Sequence, residues 1–419
     1  MDMTITEKIF CEHSGRKYVE PDELIFADID LVMGTDIASP LAIDVFEKME
    51  AEKVFDVTKI ALVNDHLVPA KDIKAANLSK MMRKFAKKYG IMNYFEVGRS
   101  GICHNLIPEK GLVLPGELVV GADSHTCTYG AVGAFSTGVG STDLAASMVL
   151  GKNWFRIPKS IRIKYTGTLP YMVGGKDIIL YTLSKIGVSG ALYCAIEFTG
   201  NVIKNLDMCA RFTICNMAIE AGAKSGIIAP DEKTEEYFKN RTCKKYKILN
   251  SDKNAKYYKE YEFDISNLEP QVAVPYLPSN SYPVSEINPV KIDQVVIGSC
   301  TNGRIKDLKI AAEILRGREV HPDVRLIVIP GSQEVYLEML KEDIAEVFIK
   351  SGAVISTPTC GPCIGAHMGI LGENETGLFT TNRNFKGRNG HPSSKVYLCG
   401  PQVAAASAIS GYICDPRKI

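Results

Sequence analysis

The chain has 419 residues, 46% of them hydrophobic and 23% charged, which is the usage of folded globular proteins and not of disordered ones. At roughly 150 residues per domain, this length suits two to three domains, each able to bury its own core. Lys plus Arg number 49 and Asp plus Glu 48, a net charge of +1 that argues against a dedicated nucleic-acid binder.

The first ten residues hold Asp2, Glu7 and Lys8 and no apolar run, so no secretory leader is expected. Ile60–Val63 reads as a strand that runs into Asn64, Asp65 and His66. Leu118–Gly121 does the same into Asp123, Ser124 and His125. Gly130 to Gly140 is rich in small residues, but Gly138-Val139-Gly140 lacks the third glycine of a dinucleotide-binding turn, so tight helix–strand packing is expected there. From Ile161 the character turns to mixed strands and helices, with a helix-like run from Ile214 to Gly222 that contains Asn216 and Glu220. The Lys- and Tyr-rich stretch Glu235 to Glu262 reads as a surface excursion, and Pro270 to Pro289, with five prolines, reads as a linker. Val295–Ile297 leads into Gly298-Ser299-Cys300, Leu326–Ile329 into Pro330-Gly331-Ser332, and Leu378–Thr380 into a loop bearing Arg383 and Arg388.

Near-continuous apolar runs separated by helices are the mark of parallel strands covered on both faces, so the fold class is α/β. In such sheets ligands bind beyond the carboxyl ends of the strands, where these polar clusters lie. Three α/β regions are expected: residues 1–156, residues 157–288 with the excursion and linker, and residues 289–419. The charge-free stretch Ser351 to Gly372 contains Pro358, Pro362 and several glycines, so it reads as loop and no membrane span is expected. Twelve scattered cysteines and no leader suit reduced thiols in a cytoplasm; the sequon at Asn240 then carries no glycan.

Cys360-Gly361-Pro362-Cys363 forms a C-x-x-C pair, and Cys300 lies 60 residues upstream (360 − 300) at another strand end. Three chemistries compete for it. The Gly-Pro interior matches a thiol–disulfide redox motif. A zinc site needs a fourth ligand. A cluster held by three cysteines leaves one iron open, which suits a Lewis acid better than an electron carrier. Two neighbouring buried thiols without function are the bland alternative.

The surrounding residues separate these readings. Gly298-Ser299-Cys300-Thr301-Asn302-Gly303, Thr359 to Gly365, Gly121-Ala122-Asp123-Ser124-His125-Thr126, and Thr381-Asn382-Arg383-Asn384-Phe385-Lys386-Gly387-Arg388-Asn389 resemble the signatures of the aconitase superfamily, in that family's order and across nearly the whole chain. The resemblance implies three aconitase-like domains around a 4Fe–4S cluster ligated by Cys300, Cys360 and Cys363, with one open iron. It implies a hydro-lyase that moves a hydroxyl between adjacent carbons of a small dicarboxylic acid.

Such a reaction needs a polarised hydroxyl, a proton for it, removal of a carbon proton, and a grip on the carboxylates. Asp65-His66, His104 and Asp123 with His125 fall on the family positions that form acid pairs around the leaving hydroxyl, and Glu220 matches a residue of the same centre. His13, His321, His367 and His391 fall on none and read as structural. Arg383 and Arg388 suit carboxylate recognition, with Ser124, Asn302 and Asn382 as further contacts to substrate or cluster. Thr35 stands where the family usually places an amide or imidazole, and would hydrogen-bond a carboxylate.

The chain ends after its third α/β region, without the swivelling domain that supplies a serine base in single-chain members. It is therefore expected to be the large subunit of a two-chain isomerase, working with a small subunit that carries that domain. Isopropylmalate, in leucine biosynthesis, is the first choice of substrate. Homocitrate or homoaconitate and methyl-substituted malates are the alternatives. A redox protein using Cys360 and Cys363, and an RNA-binding regulator using Cys243 to Tyr261, are the readings from other classes.

Overall fold

Three sheets, each with its own stretch of sequence, and one short ribbon organise residues 2–419, which the computed structural model describes. The N-terminal sheet has five parallel strands, in spatial order Asn93–Phe95, Ile60–Val63, Leu31–Thr35, Leu118–Gly121 and Phe135–Gly138. The middle sheet has four, Ser225–Ile227, Ala195–Thr199, Ser160–Thr166 and Lys259–Asp264, again all parallel. The C-terminal sheet has seven. Five are parallel: Lys395–Cys399, Thr376–Phe379, Gln294–Ile297, Arg325–Val328 and Val354–Ile355. An antiparallel pair, Gln271–Ala273 and Ser281–Pro283, extends its edge.

The strand patterns follow from burial. Ile60–Val63, Leu118–Gly121 and Gln294–Ile297 are buried at every position, as central parallel strands with helices on both faces must be. The ribbon of Leu24–Asp28 and Lys152–Arg156 alternates exposed and buried instead, because it is antiparallel and covered on one face. Helix Ile73–Tyr89 buries Ala75, Ser79, Met82, Phe85 and Ala86, one face at helical spacing. It starts where the Asp72 side chain accepts the N–H of Ala75, and it stops at Gly90 in the left-handed region.

The largest hydrophobic core joins all three sheets. It contains Met33 and Val63 of the first, Ile163 and Phe198 of the second, and Val296 and Phe379 of the third. Shared apolar packing is thus what brings the strand ends of the first and third sheets to one place. Gly130 to Gly140 serves close packing as expected: a Cβ on Gly130 would overlap the carbonyl oxygen of Gly226 in the middle sheet. No helix among the described residues is long and apolar enough to cross a membrane.

Two expectations need correction. Pro270 to Pro289 is not a linker, since its two strands pair with each other and the first of them, Gln271–Ala273, pairs with Lys395–Cys399. Its prolines flank or end three-residue strands at the edge of the sheet, where a missing N–H is tolerated, and the N–H of Gln271 is held by Asp177. The Lys- and Tyr-rich excursion is likewise not all loop: Lys259–Asp264, which begins within it, closes the edge of the middle sheet, and charged residues on an edge strand discourage further pairing.

Candidate functional site

Six strand ends supply one cavity of about 180 Å³, smaller than the pockets that hold drug-sized ligands and of a size for a small acid. Thr35 closes strand Leu31–Thr35, Asp65 and His66 follow Ile60–Val63, and Asp123, Ser124 and His125 follow Leu118–Gly121. From the other sheet come Cys300 after Gln294–Ile297, Cys360 and Cys363 after Val354–Ile355, and Asn382 and Arg388 after Thr376–Phe379. His104 reaches the cavity from helix Cys103–Glu109.

The three thiols are 4%, 6% and 3% exposed at Cys300, Cys360 and Cys363, and none of the chain's twelve cysteines forms a disulfide. Asn382 lies between two of them: its Nδ2 is 3.4 Å from the Cys300 sulfur and its Oδ1 3.4 Å from the Cys363 sulfur. The same amide donates to Asn216. A hydrogen bond from the Cys360 thiol, together with the nearby Arg388, His125 and Arg383, outweighs burial and holds the Cys363 thiol well below the usual thiol range. The turn carrying the pair is fixed from both sides. Cys360 N–H and Thr359 Oγ1 donate to the Asp65 carbonyl at 2.7 and 3.0 Å, and Asn389 Nδ2 donates to the Pro362 carbonyl at 3.0 Å. Gly365 ends the turn at φ 68°, where a Cβ would come within 2.5 Å of the Arg388 carbonyl oxygen.

Opposite the thiols is a chain of acid–imidazole pairs. His66 Nδ1 is 2.7 Å from Asp65 Oδ1, and Asp65 Oδ2 also accepts the N–H of Cys103 at 2.8 Å. Asp123 serves three imidazoles: His104 Nε2 at 2.9 Å, His66 Nε2 at 3.5 Å and His125 Nδ1 at 3.5 Å. Burial alone would push the His66 imidazole down, but Asp65 and Asp123 outweigh it and hold His66 well above its ordinary range. Burial likewise raises Asp123, and its histidine partners more than reverse that, leaving it well below the carboxylate range. His125 is raised against its own burial by Asp123 and Glu220.

Glu220 and Arg383 lie just behind the cavity wall. Glu220, on the turn Met217–Ala221, takes His125 Nε2 at 2.9 Å on one oxygen and Arg383 Nε at 2.8 and 2.9 Å on its two oxygens. His125 and Arg383 keep this buried carboxyl below its usual value despite the opposing effect of burial. Arg388 lines the cavity and forms no ion pair with a carboxylate among the described residues, which leaves its guanidinium free for the carboxylate of a bound acid.

The structure therefore brings twelve of the fifteen sequence-selected residues to the cavity lining, with Glu220 bound to His125 behind it and Arg383 bound in turn to Glu220. Asn302 is the exception: it points away and donates to Asp307 at 2.9 Å. His13, His321, His367 and His391 lie outside the cavity. Sequence reasoning passed over Asp36, which is wholly buried and accepts the backbone N–H groups of Asp65, His66 and Leu67 at 3.2, 2.9 and 2.7 Å. Its signal was available, because Asp36 directly follows a strand end, as the other polar clusters do. Tyr129, packed against His104 with its hydroxyl 3.3 Å from Nδ1, had no such signal.

A model of the aconitase family (aconitate hydratase) matches residues 7–411. Among curated proteins, the chain is 59% identical to the 3-isopropylmalate dehydratase large subunit of Moorella thermoacetica and 58% identical to that of Heliobacterium modesticaldum, each over 419 residues and 100% of both chains. Among solved structures, the crystal structure of Thermococcus kodakaraensis aconitase X in its holo form superposes with a TM-score of 0.51 over 86% of this chain and 84% of that one, at 12% identity, a likeness of fold.

Proposed function

The chain belongs to the aconitase family, and from that premise we propose that it is the cluster-bearing large subunit of a hydro-lyase that interconverts 2- and 3-isopropylmalate by dehydration and rehydration. One observation carries the reading: three buried thiols and two acid–imidazole pairs line a single small cavity at the strand ends of two sheets. The two full-length relatives described above, both 3-isopropylmalate dehydratase large subunits, support the substrate.

The family implies an iron–sulfur cluster. The donor set fits one, since the thiols of Cys300, Cys360 and Cys363 are all buried and face a common space. We assign these three as the ligands of a 4Fe–4S cluster. When bound, it supplies a Lewis-acidic iron that polarises the substrate hydroxyl. Three cysteines sharing one cavity also speak against a redox pair of Cys360 and Cys363 acting alone.

The remaining roles fall to this chain's own side chains. His66, kept protonated by Asp65 and Asp123, donates a proton to the departing hydroxyl oxygen. His104 and His125 complete the donor wall through Asp123, whose ionised carboxyl orients all three rings. Arg388 grips one substrate carboxylate, with Thr35, Ser124 and Asn382 as polar contacts. Arg383, locked by Glu220, places its guanidinium behind His125 and Cys363, where it favours negative charge in the cavity.

The relatives are large subunits, which implies a small-subunit partner. In this proposal that partner carries the swivelling domain, closes the cavity and supplies the group that removes the carbon proton. We place the chain in the cytoplasm, whose reducing conditions would keep Cys300, Cys360 and Cys363 as free thiols able to bind iron. The test is turnover by the anaerobically reconstituted chain together with its small subunit, offered isopropylmalate, homoaconitate and dimethylmalate in parallel. Preferred conversion of isopropylmalate is expected; preference for either of the others refutes the substrate assignment.

A further inference from the structure

Lys176 is the second residue of helix Gly175–Ile186, and it is only 1% exposed. Lysine is seldom buried in this way without a carboxylate beside it. The Lys176 ammonium has none within ion-pair distance among the described residues: its Nζ donates to the carbonyl oxygens of Thr380 at 2.9 Å and Thr381 at 2.5 Å. The neighbouring Asp177 is turned to the backbone N–H groups of Gly174 and Gln271. Arg211, equally buried, shows the usual solution, a doubly bonded partner in Asp231 at 2.7 and 2.6 Å.

The place of the unpaired charge gives it a purpose. Thr380 and Thr381 lead directly into Asn382, whose amide lies against the sulfurs of Cys300 and Cys363. The Thr380 carbonyl also accepts the Thr301 hydroxyl at 2.5 Å, so the ammonium backs the two segments that carry Asn382 and Cys300. Burial lowers the Lys176 pKa to about 8, opposed by Cys399, Cys300, Cys363 and Glu220, and the group stays mostly charged at neutral pH.

We propose that Lys176 is a positioning residue for the iron–sulfur centre: it anchors Thr380 and Thr381 so that Asn382 meets the sulfurs, and its charge offsets the negative charge that the thiolates bring when they hold iron. The inference rests on the assignment of the cluster to Cys300, Cys360 and Cys363. Hydrogen-bonding groups just outside a metal's ligands commonly change affinity by about 10- to 100-fold.

The experiment compares wild type with Lys176→Met, which keeps length and removes charge, in three measurements: urea unfolding of the apoprotein, the anaerobic rate of iron loss to a ferrous chelator, and the midpoint potential of the cluster. The apoprotein is expected to keep nearly its wild-type stability, because relief of an unpaired buried charge offsets the loss of a donor to the Thr380 and Thr381 carbonyls. Iron loss is expected to be about 10- to 100-fold faster, and the potential lower, since a nearby cation no longer favours reduction. Lys176→Gln, which keeps hydrogen bonding without charge, should share the lowered potential. Unchanged iron loss and potential overturn the proposal, and so does an apoprotein destabilised in step with the iron loss, which would mark a purely structural residue. Wild type that holds no iron at all refutes the cluster assignment instead.

Discussion

Asp123→Asn changes one charge at the point where three imidazoles meet. The asparagine keeps the shape, and it keeps an acceptor for the backbone N–H of His125, now 2.7 Å from Oδ1. What is lost is the ionic partner of His104 at 2.9 Å and of His66 and His125 at 3.5 Å. Removing one member of a buried ion pair costs roughly 3–5 kcal/mol. The Asp123 side chain is 17% exposed, so the lower end applies, about 3 kcal/mol. The sign with pH is fixed by the two shifts. Asp123 is held below the carboxylate range, so its contribution is present above about pH 4 and is lost as pH falls through its lowered folded value. His66 is held above its ordinary range, so its contribution is full below about pH 6.5 and fades as pH rises through its raised folded value. Urea unfolding of wild-type and Asp123→Asn apoprotein across this range should therefore show a stability gap that is widest near pH 5–6 and narrows on either side. A gap that is flat with pH, or that widens toward alkaline pH, refutes the ion-pair account of the cavity.

Two further perturbations test the assigned roles. Arg388→Lys exchanges a planar fork for a point charge, and should raise KM by about 10- to 100-fold, the equivalent of one charge-assisted hydrogen bond, with a smaller change in kcat; an unchanged KM removes Arg388 from substrate binding. Asp65→Asn takes away the first partner of His66, so the alkaline limb of kcat/KM should move to lower pH as the imidazole loses its proton earlier; a pH profile that stays in place rules out His66 as the proton donor.

Much of the fold was legible because each central strand is an apolar run that stops at polar residues, and the parallel-sheet rule then located the site. Ile60–Val63 and Leu118–Gly121 are found at the bounds read from sequence. Composition misled at Pro270 to Pro289, where prolines at strand ends looked like linker chemistry although the strands between them pair. Glu220 carried no signal of its own, because it arrives from a turn in the middle region, and only the family motif marked it. Asn302 shows the opposite failure. It lies two residues after Cys300 on the short helix Ser299–Asn302, and positions i and i+2 of a helix do not share a face, so it turns to Asp307 while Cys300 meets the cavity. Lys176 was invisible for a different reason: a lysine in a helix reads as solvated unless the third dimension shows what covers it.

Iron and acid-labile sulfide analysis of the anaerobically reconstituted chain decides whether Cys300, Cys360 and Cys363 hold a cluster. About four irons and four sulfides per chain are expected, lost in each of Cys300→Ser, Cys360→Ser and Cys363→Ser and retained in Cys11→Ser, whose thiol lies against Met3 outside the cavity. Zinc in place of iron, no bound metal, or a cluster that survives Cys300→Ser would contradict the assignment.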